Sequence, residues 1–315
     1  LKREVYQPVS SQIIQLKAPY SFERLLRRLE THPDPQMKVQ AEQKSLQRIF
    51  RVNNRPILTS IRFAGELGHP SLSWETSAAL SATEAAGLEK HIRHMFSADV
   101  DLAPLYALMQ ADAKLAPLAE RFRGLRFVLD DDLFQSMVKT IIGQQINLAF
   151  AATLTERLLE LAGESVQDAD GTLLYAFPTA DRIAVMEPEA LRPLQFSQRK
   201  AEYIIDLARA VVNGRVDLEG LWKMDEQEIM ATLTPLRGIG KWTVECMMIF
   251  GMGRPDLLPV ADIGLKNGMQ LVYQLEARPD EAEMRRIGES WAPWRSYVSL
   301  YVWETVGALK RKEAW

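Results

Sequence analysis

MDEQEIMATLTPLRGIGKWTVECMMIFGM, residues 224–252, decides how most of this chain is read. Asp225 followed three places on by Glu228 is a capping box, in which each side chain satisfies a backbone N–H that the helix start leaves free. The helix through EIMATL stops at Pro235, and a tight turn, Leu236-Arg237-Gly238-Ile239-Gly240, leads into a strongly apolar helix from Lys241. Two glycines separated by one apolar residue let the backbone turn sharply and approach a partner closely. Ile239 is sized to plug the gap between the two helices. The amides left free at the start of the second helix form a site for an anion. A DNA phosphate suits it, because such binding needs no net basic charge and reads no base sequence. An ordinary tight helix–helix connection uses the same glycines, so the hairpin alone leaves both readings open.

Downstream, the apolar helix ends near Gly251–Gly253, RPDLLPVA forms a loop, and Asp262 stands directly ahead of IGLKNGMQLVYQL. Asp is a common helix N-cap; a fixed carboxylate is also what a reaction developing positive charge needs. Upstream, Asp132 with Gln135 gives a second capping-box signal, followed by an apolar stripe of Leu133, Phe134, Met137, Val138, Ile141 and Ile142. Asp130–Asp132 reads as a run of acids complementing that helix's dipole. Gly143-Gln144-Gln145-Ile146 breaks the helix, and Asn147 caps LAFAATLTERLLELAG. Ser197 caps QRKAEYIIDLARAVVN, which Gly214 ends. From about residue 100 onward nearly everything reads as helix.

The first hundred residues differ. SQIIQLKAPY, SLQRIFRVN, RPILTSIRFAG and PSLSWETS are β-rich runs separated by HPDP, NNRP and GHP turns. SFERLLRRLE and ATEAAGLEKHIRHMF are helical. The pattern predicts an antiparallel sheet with helices on one face, so the chain as a whole is α+β.

At 315 residues the chain exceeds one comfortable core. An apolar fraction of 47% and a charged fraction of 25% are ordinary for a soluble protein. No apolar run approaches the roughly 18 residues that span a bilayer, and LKREVYQPVSS has no apolar core for a signal peptide. One cysteine, Cys246, excludes an internal disulfide and a Cys-rich zinc or iron–sulfur site. Four scattered histidines without HExxH argue against a catalytic transition metal. The expectations are a cytoplasmic protein without a cofactor. A net charge of −3 argues against coating DNA by bulk electrostatics. Residues 1–64 nevertheless carry twelve Lys/Arg, among them Lys2, Arg3, Arg48 and Arg51, against five acids. A nucleic-acid face and an ordinary solvated face account for that excess equally well.

LFQSMVKTIIGQQINLAFAATLTERL, SQRKAEYIIDLARAVVNG, LRGIGKWTVECMM, LPVADIGLKNG and WAPWRSYVSLYVW follow one another from about Asp132 to Trp303. In this order and spacing the chain resembles the helix-hairpin-helix DNA glycosylase superfamily. Within it, the resemblance is to the bacterial inducible 3-methyladenine DNA glycosylases of the AlkA type. It implies an α+β sheet domain over 1–100 and an all-α glycosylase core over 101–315. The core would have two helical lobes, 130–254 with the hairpin and 101–129 plus 255–315, with the active-site cleft between them. Asp262 falls on the catalytic Asp. Trp242 falls on an aromatic of the base pocket, and Trp303 on the Trp against which the flipped base stacks. Phe134, Cys246 and Ile263 complete the pocket, and Gln145 falls on the wedge that fills the gap left in the duplex. Gly238, Ile239 and Gly240, flanked by Arg237, Lys241 and Thr243, fall on the DNA-binding hairpin. Its Leu236 and Ile239 carbonyls offer ligands to a monovalent cation. Double-stranded DNA with damaged bases is the implied partner of a monomeric, nucleoid-associated enzyme.

The departures bear on substrate range. Arg237 stands where Pro usually precedes the hairpin Gly, Cys246 and Ile263 stand where relatives place Tyr, and Gln145 replaces an apolar wedge. Bifunctional members carry a nucleophilic Lys at the Trp242 position; here Lys241 lies one place earlier, on another helical face. The resemblance therefore implies a monofunctional enzyme that uses water, and the lack of a four-Cys cluster separates it from the endonuclease III type. Two alternatives stand beside this reading: a glycosylase for hypoxanthine or 8-oxoguanine, and a non-catalytic lesion sensor. Trp291, Trp294, Tyr203 and Tyr297 read as packing residues, and Lys266 as a phosphate contact or a solvated residue.

Overall fold

The β-rich runs pair into one sheet. The computed structural model describes residues 11–313; Lys2 and Arg3 of the basic excess lie outside the described residues. Strands β1 (Ser11–Gln15), β2 (Met37–Gln40), β3 (Ser45–Val52), β4 (Arg55–Glu66) and β5 (His69–Thr76) form an antiparallel sheet in the order β1-β5-β4-β3-β2. Val52 pairs with Arg55 across Asn53-Asn54, whose φ values of 49° and 61° suit a two-residue hairpin turn, and Asn tolerates them. Helices α1 (Phe22–Thr31) and α2 (Ala82–Met95) cover one face, where Leu25, Leu29, Leu88 and Ile92 join Leu46, Phe50, Leu72 and Trp74.

After residue 100 come α3 (Ala103–Gln110), α4 (Ala116–Arg121), α5 (Leu133–Gly143) and α6 (Leu148–Ala162). A hairpin follows, β6 (Glu164–Gln167) and β7 (Leu173–Ala176), a short exception to the nearly continuous helix expected after residue 100 and a correction to an all-α core. Asp168 closes its turn by accepting from the amides of Asp170 and Thr172 at 3.0 and 2.8 Å. The hairpin persists because Leu174 and Ala176 pack on Ile49 and Leu58, on the sheet face opposite the helices. Then come α7 (Ala180–Ala184), α8 (Pro188–Leu191), α9 (Gln198–Val212), α10 (Leu218–Leu221), α11 (Glu226–Leu233) and α12 (Lys241–Cys246). The last are α13 (Ile263–Tyr273), α14 (Glu281–Gly288) and α15 (Arg295–Lys310). One apolar cluster runs through the helices from Leu102 to Ala308, whereas the sheet's cluster ends at Ala98. Among the described residues no helix is long and apolar enough to cross a membrane.

Much of the basic excess is matched by acids of the helical core. Arg48 is buried and donates to Asp131 at 2.6 Å; Lys38 reaches Asp168 and Asp170 at 2.6 and 2.7 Å. Arg51 pairs with Glu164 at 2.6 Å and Arg28 with Glu304 at 3.2 Å. Lys139 of α5 joins Asp34 and Asp130 at 2.9 and 2.6 Å. The acid run is thus divided: Asp130 and Asp131 hold cations, and Asp132 alone caps α5, accepting from the Gln135 amide at 2.8 Å. The Gln135 side chain turns to Asp130 at 3.2 Å and leaves the expected capping box half made. Partly desolvated pairs add little net stability, but they penalise arrangements that bury one partner alone. They therefore fix how the sheet meets the helices.

Candidate active site

The capping box at Asp225 and Glu228 forms in both directions and starts α11. The following turn closes with the Ile239 amide donating to the Leu236 carbonyl at 3.1 Å. Gly238 adopts φ +81°, and a Cβ there would lie 2.2 Å from the ring of Tyr203, which α9 places directly against the turn. Ile239 is buried between the helices as expected. Gly240 caps α12 without a side-chain bond, so the first amides of the helix have no intrahelical partner. Of the flanking residues, Arg237 is exposed, whereas Thr243 is turned inward. Arg237 pairs with Glu202 and, at 3.4 Å, with Asp206, and lies 5.4 Å from the Tyr203 ring centre. Thr243 is buried, its hydroxyl accepting from Gln144 Nε2 at 3.0 Å. Lys241 is exposed, 3.8 Å from Glu245. Of the carbonyls offered to a cation, that of Leu236 already holds the Ile239 amide, and the neighbouring Gly238 carbonyl accepts from Gln144 at 2.9 Å.

Asp262 is set by the loop before it. Asp256 takes two nitrogens of Arg295 at 2.7 Å each, and Ser296 Oγ takes the Leu257 amide at 2.9 Å, which ties the loop to α15. α13 packs on α15 at Gly268, where any Cβ would lie 2.4 Å from Val302. That close approach brings Trp303 to the mouth of α13. Asp262 Oδ1 accepts from the Leu265 amide at 2.6 Å and from Trp303 Nε1 at 2.9 Å. The residue is both an N-cap and an oriented, half-buried carboxylate. Among the described residues its second oxygen has no hydrogen-bond partner.

Aromatic surface lies beside it. After Cys246 the helix widens to a π turn over Met247–Gly251, a distortion frequent at functional sites. The freed carbonyls find partners: that of Phe250 takes the Asp130 amide, and that of Gly251 lies 2.8 Å from His94 Nε2. The turn sets the Phe250 ring 5.8 Å from Trp303, tilted by 30°. Trp242 is half-buried, and Cys246 lies one turn along the same face. Burial, and then the charge of Asp262, push the Cys246 thiol well up, so it behaves as a small neutral wall. Glu245 lines a different cavity, of about 540 Å³, with Lys241, Met248 and Arg285; Asp262 has no part in it. Burial holds the Glu245 carboxyl up at about 7 against the opposing pull of Lys241 and Arg285. Phe134 is buried in α5, whereas Ile263 is 63% exposed and so not enclosed in a pocket wall. Gln145 is exposed at the tip of the α5–α6 loop with φ 57°. No local motif marks Phe250 or Gln144 as a site residue. Phe250 sits in an unbroken apolar run that conceals the π turn, and Gln144 acts on residues almost a hundred positions away.

Residues 138–293 match the family model of the HhH-GPD superfamily base excision DNA repair proteins. The Bacillus subtilis protein YfjP, named provisionally as a DNA-3-methyladenine glycosylase, is 34% identical over 93% of this chain and 98% of its own length. A second B. subtilis protein, named DNA-3-methyladenine glycosylase, is 31% identical over 84% of this chain and 83% of its own. The solved 3-methyladenine DNA-glycosylase of Archaeoglobus fulgidus shares the fold with a TM-score of 0.81 and 24% identity, covering 93% of this chain and 97% of that one.

Proposed function

We propose that this chain, which belongs to the HhH-GPD superfamily of base excision DNA repair proteins, is a monofunctional DNA glycosylase for alkylated, cationic purines such as 3-methyladenine in duplex DNA. The observation that carries the reading is Asp262, held by Leu265 and Trp303 on one oxygen, beside the Phe250–Trp303 aromatic pair. The hairpin amides hold a phosphate, Gln145 fills the gap in the duplex, and the extruded base enters among Trp242, Trp303, Phe134 and Cys246. One copy of the chain supplies every part, so a monomer suffices.

Extruding a nucleotide costs about a few kcal/mol, least for a damaged pair. Stacking on aromatics returns roughly 1–3 kcal/mol per base, and a cationic ring gains about 0.5–2 kcal/mol more from cation–π attraction. That last contribution favours alkylated purines over normal bases. Such bases also leave readily, since departure neutralises their charge. The bond breaks toward an oxocarbenium-like sugar, which the Asp262 carboxylate stabilises while its second oxygen guides the attacking water. Trp242 offers no amine for a Schiff base, and the exposed Lys241 is directed to Glu245.

The reading is tested with duplexes containing 3-methyladenine, 7-methylguanine, hypoxanthine or 8-oxoguanine. Release of the two methylated bases, leaving an intact strand with an abasic site, is expected. Borohydride should trap no covalent adduct. A trapped adduct, or lesion binding without base release, overturns the reading. Trp303→Phe keeps an aromatic face but removes one donor to Asp262. A hydrogen bond to a charged group contributes about 1.5–3 kcal/mol, and the Leu265 bond remains, so single-turnover excision should fall about tenfold. An unchanged rate would remove Trp303 from the orientation of the carboxylate.

A further inference from the structure

We infer that Gln144 is a positioning residue that clamps the wedge loop to the DNA-binding hairpin, so that Gln145 and the phosphate-facing turn move as one body. The inference rests on the glycosylase reading above. Gln144 terminates α5 with its own amide donating to the Ile141 carbonyl at 3.3 Å. Both hydrogens of its side-chain amide are engaged across the molecule, with the Gly238 carbonyl at 2.9 Å and Thr243 Oγ1 at 3.0 Å. The Gly238–Ile239 peptide is thereby fixed at both ends, because its N–H donates to the Leu236 carbonyl.

The next residue is the wedge. Gln145 holds a left-handed φ of 57°, which costs a residue with a side chain about 1–2 kcal/mol and persists only where the surroundings enforce it. Gln144, bonded on both sides of the turn, supplies that enforcement. Helix α9 adds a second support, with Lys200 Nζ donating to the Ile142 carbonyl at 2.6 Å and Tyr203 packed under Gly238. A phosphate gripped by the hairpin therefore sets where Gln145 enters the duplex. Without the clamp, the wedge must be ordered anew at each binding event, and that ordering cost appears as lost affinity.

The test measures binding of a duplex with a central abasic site, which presents the gap without any chemistry. Gln144→Ala, and Gln144→Glu, which keeps the shape but has no donor when ionised, should each weaken binding about tenfold. Gln145→Ala should do the same. If Gln144 acts through Gln145, the Gln144→Ala/Gln145→Ala pair should bind about 10–20-fold more weakly than the parent, far short of the 100-fold expected of independent sites. A multiplicative loss overturns the coupling, and parent-like binding by Gln144→Glu overturns the role of the donated bonds. Thermal unfolding of each variant identifies a failure to fold, and the remaining variant then decides. Because no base is released in this assay, a chain that binds the abasic duplex but excises nothing fails the enzymatic reading alone.

Discussion

An Asp262→Asn chain is expected to bind a 3-methyladenine duplex as tightly as the parent and to release the base about 100–1000-fold more slowly, the usual cost of losing one preorganised electrostatic group. The substitution separates the capping role seen in the structure from the catalytic role proposed for this residue. As an N-cap, Asn serves about as well as Asp, so its side-chain oxygen still accepts from the Leu265 amide and from Trp303. Fold and pocket should therefore survive, and only the negative charge is lost. A residue that merely capped α13 would give the opposite pattern. Asn would then be silent, and Asp262→Ala would cost about 1 kcal/mol of stability through the lost cap without touching chemistry. Single-turnover excision with lesion binding and thermal unfolding of both variants distinguishes the cases, and normal excision by Asp262→Asn removes Asp262 from the reaction.

What could be read in the sequence was local. Caps at Ser197, Asp225 and Asp262 form as read, because a cap depends on residues three places apart. Gly238 signalled its turn for the same reason. The parts that escaped depend on distant partners. Four-residue strands such as β2 and β7 are too short to show a period, and β7 exists because Ile49 and Leu58 wait on the sheet for Leu174 and Ala176. The acids at Asp130 and Asp131 looked like dipole partners until Lys139 and Arg48 were brought beside them. At the site, spacing put Lys241 on another helical face from Trp242. It did not show that Trp303 donates to Asp262, since 41 residues separate them. Nor did it show that Arg237 is matched by Glu202 and Asp206.

Gly238→Ala is expected to weaken binding of damaged and undamaged duplexes alike by about 10–100-fold, a loss that corresponds to roughly 1.4–2.8 kcal/mol at 1.4 kcal/mol per decade. Two costs coincide at this residue. Its φ of +81° is one that a side chain resists, by about 1–2 kcal/mol for alanine. The new methyl would also lie 2.2 Å from the Tyr203 ring, which cannot yield at one atom without moving as a plane. The turn must therefore lift from α9, and lifting pulls the Gly238 carbonyl from Gln144. The amides then no longer converge on a phosphate. Because phosphate contacts carry no sequence information, the lesion should make no difference to the size of the loss. Tyr203→Ala introduced beside Gly238→Ala relieves the collision but not the backbone cost, so the double variant should recover part of the affinity and not all of it. Parent-like binding by Gly238→Ala would show that the hairpin does not carry the DNA. No recovery in the double variant would place the whole cost in the backbone and leave Tyr203 as packing.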